Sequence, residues 1–255
     1  MDRDAVDDAV ALLQRAPVLA ACRDGPADRA TIAERASVSR ATAYRATNAL
    51  TERGVLEREA AGYRLTGLGR AVLTHIESFD RGLAGARTLA PVLAHVDAPE
   101  LVSNTELFTD ATVVTVDPSA PYRLDQELAA IVADTEREMV GVTTSFGSPT
   151  VMERTYEVIR RGVAVEWVLT PAAFEGVLEQ HGEGHDQLMA MDTTATYLIE
   201  HPPLDIAIYD DRLVVPGYDG ESGAVTAMAW TDDAAAVEWA RGVFEACRDR
   251  AEPLD

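Results

Sequence analysis

The chain has 255 residues, 22 basic and 43 acidic, with a formal net charge of −21 and 47% hydrophobic residues. That length accommodates one small and one medium domain, and the apolar content is ordinary for a globular protein. No apolar run reaches the roughly 20 residues of a membrane-spanning helix, and the acidic N-terminus MDRDAVDDAV has neither the basic segment nor the apolar core of a signal peptide, so a cytoplasmic protein with no membrane partner is expected.

The first helix is expected over residues 3–21, with Val6, Val10, Leu13 and Leu12 on one face and a break at Pro17. Asp24, Gly25 and Pro26 form a turn. A short helix follows over residues 31–36, then the turn ASVSR with Val38 as its central apolar residue. Ser39 is a good N-cap for the next helix. In that helix Ala43, Thr47 and Leu50 recur at helical spacing and form the buried stripe, while Arg40, Tyr44, Arg45 and Asn48 fall on other faces. Gly54 ends the helix as a C-terminal glycine does. Val55 and Leu56 start a strand, residues 60–62 turn it, and residues 63–65 return it. Helix, turn, helix and β-wing is the winged helix-turn-helix arrangement, whose second helix enters the DNA major groove.

Thr66 is the expected cap of a long helix over residues 70–94, in which Val72, Leu73, Ile76, Phe79, Leu83 and Leu89 recur at helical spacing. This helix either pairs with a second subunit or packs only on its own C-terminal domain. Beyond Pro99 the pattern alternates. Strands are expected at 112–116, 139–144 and 163–169, and helices at 124–137, 149–161 and 171–179. Four more short strands are expected at 196–200, 205–209, 212–215 and 224–230. Asp232 is expected to cap a last helix to residue 250. The fold class read from this order is α/β (α+β overall): an N-terminal winged helix-turn-helix, a linker helix, and a C-terminal α/β sandwich with a mixed sheet. Its early strands are parallel and its late strands an antiparallel extension. The expected domains are 1–69 for the winged helix, 70–98 for the linker or dimerisation helix, and 99–255 for a sensor or dimerisation domain.

Charge divides along the same lines. Residues 1–75 carry 11 Arg against 10 acids, and residues 76–255 carry 11 Arg against 33 acids. Residues 31–70 alone have seven Arg and four acids. A DNA contact is therefore expected at the motif, with the acidic remainder facing away. All 22 basic residues are Arg. The lack of lysine excludes a Walker A motif, a lysine Schiff base and a phospholipase-type His-x-Lys motif. Together with the acid excess it points to adaptation to a cytoplasm of molar salt, where the Debye length falls to about 3 Å. Direct base contacts and shape fit must then supply more of the affinity. The two cysteines, Cys22 and Cys247, are far apart in sequence and are expected to be buried free thiols.

The candidate DNA-contacting residues are Ser39, Arg40, Thr42, Tyr44, Arg45 and Asn48 on the second helix. Arg58, Tyr63 and Arg64 on the hairpin complete the set. The segment SRATAYRATNALTERGVLE resembles the recognition helix of TrmB-like archaeal regulators, over about a quarter of the chain. The segments EREMVGVTTS, RRGVAVEWVLT, LDIAIYDDRLVVPGYD and AVEWARGVFEACRDRA resemble the sensor domain of archaeal regulators of methanogenesis and cell filamentation, in order over about half the chain. This resemblance implies a homodimer whose sensor domain answers to a metabolite or a partner.

Other chemistry is weaker in the sequence. His181, His185 and Asp186 include good metal ligands, but their glycine-rich setting reads better as a solvated loop, and no metal or cofactor is expected. Asp210, Asp211 and Asp219 read as hairpin-turn residues, and His201 as a loop histidine. Ser145 has no nucleophile elbow. Parallel sheets bind ligands at the carboxyl ends of their strands, which here offer Thr143, Thr144, Ser145, Phe146 and Thr170 to a small-molecule effector. The helix N-terminus near Ser148 is suited to an anion, although capping and turn roles explain these residues as well. Two functions follow: a non-enzymatic DNA-binding transcription regulator reading a pseudo-palindromic double-stranded operator as a homodimer, or a ligand-binding protein or enzyme whose N-terminal helices serve protein contacts. The charge split, the Arg-bearing wing and the lack of a catalytic constellation in the sequence favour the first.

Overall fold

The computed structural model describes residues 2–145, 147–181, 191–220 and 223–254. Phe146 and the His–Gly–Glu–Gly–His–Asp stretch beyond position 181 lie outside the described residues. The chain divides into two compact units, Met1–Asp80 and Arg81–Asp255.

The first unit begins with α1 (Arg3–Leu13) and α2 (Ala16–Ala20). The break precedes Pro17, which sits in the first turn of α2, where its missing N–H is no loss. No residue of α1 is buried. Helix α3 (Arg29–Arg35) starts two residues earlier than the sequence pattern indicates, because Asp28 caps it by accepting from the Thr31 N–H at 2.8 Å. Ser37 turns the chain with φ 53, and the Val38 N–H reaches back to the Ala33 carbonyl at 2.9 Å. Helix α4 (Arg40–Glu52) buries Ala43, Ala46, Thr47 and Leu50. Gly54 follows with φ 68, the left-handed conformation that glycine adopts without strain.

Strands β1 (Leu56–Glu59) and β2 (Gly62–Leu65) form the antiparallel wing. Ala27 and Tyr63 exchange both backbone hydrogen bonds, at 2.9 and 2.8 Å, which ties the wing to the segment before α3. Gly62 makes that possible: a Cβ there would lie 2.3 Å from the Ala27 carbonyl oxygen. The core of this unit joins Leu19, Ile32, Leu50, Leu56 and Leu65, and Cys22 is a buried free thiol that burial pushes up to about 11.

Helix α5 (Gly67–Thr88) is capped by Thr66, whose hydroxyl accepts from the Gly69 N–H at 3.0 Å. It does not run on to residue 94. The chain breaks at Leu89 and resumes as α6 (Ala90–Leu93), with Pro91 in its first turn; Pro91 has no N–H with which to continue α5. Gly82 and Gly85 do not interrupt α5. Gly85 instead admits another backbone, since a Cβ there would lie 1.7 Å from the Thr105 carbonyl oxygen.

The second unit is a three-layer sandwich. After α7 (Pro99–Val102) and a 3-10 turn (Thr105–Phe108) come β3 (Thr112–Thr115), α8 (Arg123–Ala133), β4 (Glu138–Thr143), α9 (Pro149–Arg160), β5 (Ala164–Leu169) and α10 (Pro171–His181). Then follow β6 (Thr194–Leu198), β7 (Ile206–Tyr209), β8 (Arg212–Tyr218), β9 (Val225–Thr231), α11 (Ala234–Arg248) and β10 (Glu252–Pro253). The eight-stranded sheet has the order β10-β6-β5-β4-β7-β8-β9-β3. Strands β4, β5 and β6 are parallel, and β7, β8, β9 and β3 are antiparallel. The early strand β3 therefore belongs to the antiparallel edge, against the expectation for early strands. Alternation along the strands sends Ile206 and Ile208 to the face covered by α6 and α11, and Ala207 and Tyr209 to the face covered by α8 and α9. Phe108 meets Trp239 of α11 edge to face, with centroids 5.8 Å apart. The cap of α11 is Asp233 and not Asp232: Asp233 accepts from the Ala235 and Ala236 N–H groups, whereas Asp232 pairs with Arg212 at 2.7 Å. In the β7–β8 turn Asp210 has φ 56, and its carboxylate accepts from the N–H groups of Glu136, Arg137 and Glu138. These bonds end α8 at residue 133, short of the expected 137, and start β4.

Candidate nucleic-acid interface

The outward side of α4 carries Arg40, Tyr44, Arg45 and Asn48, set by its buried stripe on the opposite side. Ser39 is committed to the cap: its Oγ accepts from the Thr42 N–H at 3.0 Å and lies 2.9 Å from the Thr42 hydroxyl. Thr42 is half-buried. Arg40 and Arg45 are exposed and carry no ion pair or hydrogen bond among the described residues, and the same holds for the guanidinium of Arg58 on β1.

Two hairpin residues are less open than the sequence pattern indicates. Tyr63 is 6% exposed and belongs to the core of the first unit. Arg64 is not a free cation. It donates to Glu57 at 2.6 and 3.1 Å and lies 2.9 Å from Glu59; the hydrogen bond to Glu57 and the two carboxylates hold the guanidinium in its charged form. The hairpin register places Glu57 opposite Arg64, and an opposite-charge pair at that position is readable from the strand spacing alone.

Sequence reading missed Arg29. This half-buried residue at the start of α3 donates from Nε to the Thr47 hydroxyl at 3.2 Å and from Nη2 to Asn48 Oδ1 at 2.7 Å. Its guanidinium also sits 4.2 Å from the Tyr44 ring centroid and 5.1 Å from that of Tyr63. One side chain thereby joins α3, the outward side of α4 and the wing. Each cation–π contact of this kind contributes about 0.5–2 kcal/mol. Tyr44 stays 52% exposed above it. No local pattern marks Arg29, since its partners are 15 to 34 positions away.

The second candidate site lies at the carboxyl ends of the parallel strands. Thr143 and Thr144 both turn to Asp205, whose Oδ2 accepts from the Thr144 N–H and hydroxyl at 2.8 Å each and from the Thr143 hydroxyl at 3.2 Å. Burial pushes the Asp205 carboxyl up, and the bonds from Thr144, Thr143 and Tyr218 pull against it. The Thr143 hydroxyl also bonds the Ser145 carbonyl. Thr170 is a cap, accepting from the Ala173 N–H at 3.3 Å, and Ser148 accepts from the Val151 N–H at 3.5 Å. A buried carboxylate at this strand end opposes an anion.

Together these features define a winged helix-turn-helix unit joined to a mixed-sheet α/β sandwich. The chain belongs to the family described as methanogenesis regulatory protein FilR1, middle domain, whose model matches residues 121–250. A second model, described as the HVO_A0261 N-terminal domain, matches residues 3–88. No curated protein matches the chain. Among solved structures, the chain is similar to TrmBL2, an archaeal chromatin protein whose structure is described as showing a novel mode of DNA binding, at 14% identity, 92% of each chain and a TM-score of 0.45. It is also similar to NucT from Helicobacter pylori, at 12% identity, 57% of this chain, 99% of that chain and a TM-score of 0.46. The phospholipase D family member Nuc from Salmonella typhimurium shows 13% identity over 57% of this chain and 99% of that chain, with a TM-score of 0.42. Likenesses this distant decide nothing about activity.

Proposed function

We propose that the chain is a sequence-specific DNA-binding transcription regulator that works in a cytoplasm of molar salt, with α4 as the recognition helix and the C-terminal unit as a sensor. The observation that carries this reading is the trio Arg40, Arg45 and Arg58. They are exposed and unpaired among the described residues, on the recognition helix and wing of the basic part of an otherwise acidic chain. Membership of a regulatory-protein family supports it. Arg40 and Arg58 suit phosphates, while Arg45, Tyr44 and Asn48 suit base edges.

The active form is a homodimer. Along α5, Leu68, Val72, Ile76, Phe79 and Leu83 make one apolar stripe, of which Leu68, Phe79 and Leu83 are exposed. Val10 and Leu13 of α1 are exposed as well. Val72 and Ile76 already pack on the core of the first unit, and a partner helix would bury the exposed Leu68, Phe79 and Leu83. Two recognition helices about 34–36 Å apart then read a pseudo-palindrome.

Hydroxyl-radical footprinting on DNA upstream of its own gene, in about 2 M KCl, tests the reading. Two protected half-sites one helical turn apart support it, and the absence of any protected segment at saturating protein contradicts it. Light scattering in the same buffer tests the dimer: a mass near the 27.5 kDa of one chain, unchanged by DNA, removes it.

A further inference from the structure

The joint between α1 and α2 consists of Gln14 and Arg15, the C-cap of one helix and the N-cap of the next. It faces α4. Gln14 and Arg15 form one wall of a groove, and Thr42 and Arg45 form the other, over a floor of Val18 and Ala46. Both floor residues are buried. Thr42 and Arg45 lie in the first two turns of α4, just after the Ser39 cap. Tyr44 and Asn48, which Arg29 holds, are about a third of a turn away at 3.6 residues per turn. Arg29 therefore flanks α4 on one side and Arg15 on the other.

The groove is positively charged. No Asp or Glu lines it among the described residues. Arg15 is half-buried, and its Nη1 donates to the Ala11 carbonyl at 2.6 Å, which holds the guanidinium in place. Its other donors make no hydrogen bond and no ion pair among the described residues. Arg45 is unpaired as well. With 43 acids to 22 Arg in the chain, carboxylate partners are not scarce. Arg53, further along α4, has one, donating to Asp8 of α1 at 2.9 Å. Two guanidiniums without one, on facing walls of a single groove, are set to meet an anion from outside.

An α-helix with its side chains is about 10–12 Å across, and the DNA major groove is about 12 Å wide. A helix seated there brings side chains of the flanking elements level with the phosphates along the rims. Arg15 stands on such a flanking element. We propose that Arg15 holds one phosphate of the DNA backbone in this groove, with Gln14 as a second donor, while Arg45 reads bases. This rests on α4 being the recognition helix. In molar salt, attraction is screened beyond about 3 Å, so a guanidinium already fixed for a bidentate contact contributes more than a loose charge does.

The test is fluorescence anisotropy of the full chain in about 2 M KCl, on the footprinted operator and on duplexes in which one phosphate at a time is replaced by an uncharged methylphosphonate. The wild type is expected to lose about three- to tenfold in affinity at the phosphate that Arg15 holds, the range of one net hydrogen bond. Arg15→Gln is expected to lose that factor on the unmodified operator and nothing further at that position. Its preference for the operator over a scrambled duplex is expected to stay. Arg15→Met, which keeps an apolar stem beside the groove floor, is a second uncharged variant held to the same outcome, and circular dichroism confirms that each is folded. Uncharged variants that bind the unmodified operator as tightly as the wild type overturn the inference and leave α4 as the recognition helix. So do variants that lose as much as the wild type does at every modified phosphate. A wild-type chain that binds neither operator nor scrambled duplex overturns the DNA-binding reading, and this inference with it.

Discussion

Arg29 holds Asn48: its Nη2 donates to Asn48 Oδ1 at 2.7 Å. A guanidinium only donates, so the carboxamide is fixed with its oxygen toward Arg29 and its NH₂ group left for an acceptor. The same guanidinium supports the Tyr44 ring from below. Two side chains on the outward side of α4, the proposed recognition helix, are thus oriented in advance, and less ordering remains to oppose DNA binding.

Arg29→Ala is therefore expected to weaken operator binding about tenfold, toward the lower end of the 1–3 kcal/mol assigned to one good base contact. Arg29→Lys is not expected to rescue it, because an ammonium has neither the planar fork nor the stacking face. Fluorescence anisotropy on operator DNA checks this, with circular dichroism as the control for folding. Full affinity in the Lys variant would show that a point charge at position 29 suffices.

The two wing arginines are expected to differ. Arg58 makes no ion pair among the described residues, whereas Arg64 is held by Glu57 and Glu59. Arg58→Ala is expected to weaken binding uniformly across sequences and to lower the salt slope by about 1. Arg64→Ala is expected to do much less. Anisotropy across a salt series decides it, and equal losses in the two variants would count against the pairing.

Local chemistry made much of the first unit legible in the sequence. Ser39 and Gly54 bracket α4 because caps act within one turn of their own position. Asp28 and Asp233 cap just as locally, but local spacing does not say which acid takes the role. Carboxylates stand close together in this chain, and which one caps depends on what else competes for it; Asp232 is taken by Arg212. The fate of Tyr63 follows from its bridge to Ala27, a contact over 36 positions that periodicity does not contain. The edge position of β3 is likewise a matter of strand order. Arg29 draws its meaning wholly from neighbours on other elements. In the sheet, the hydroxyl-rich ends of β4 and β5 were readable as a polar cluster. That Thr143 and Thr144 serve Asp205, while Thr170 caps α10, was not.

Asp205 makes a pH prediction. Its carboxyl is raised in the folded chain, mainly by burial, so the native state binds that proton more readily than the unfolded state does. This contribution is most favourable to the fold below the unfolded pKa and is lost as pH rises through the raised value. Asp205→Asn, which cannot ionise, is expected to remove that part of the pH dependence. Melting temperatures of both proteins from pH 4 to pH 7 measure the difference, and parallel curves would show that the group titrates alike in both states.

The acid excess makes a salt prediction. Residues 76–255 hold 33 acids against 11 Arg, and at low ionic strength their repulsion is unscreened. Dialysis from about 2 M to about 50 mM KCl, chosen because the Debye length grows several-fold over that range, is expected to unfold the chain. Circular dichroism follows it; an unchanged spectrum and melting point at low salt would remove salt adaptation from the account.

The most direct measurement is anisotropy of two labelled duplexes in about 2 M KCl, the footprinted operator and a scrambled duplex of equal length, titrated with wild type and with Arg45→Ala. Arg45 is exposed on α4 with its donors unclaimed among the described residues. The wild type is expected to prefer the operator strongly, and Arg45→Ala to lose about tenfold or more of that preference, the value of one bidentate base contact, while remaining folded. If the wild type binds both duplexes alike, or the Arg45→Ala variant keeps the full preference, α4 is not the recognition helix.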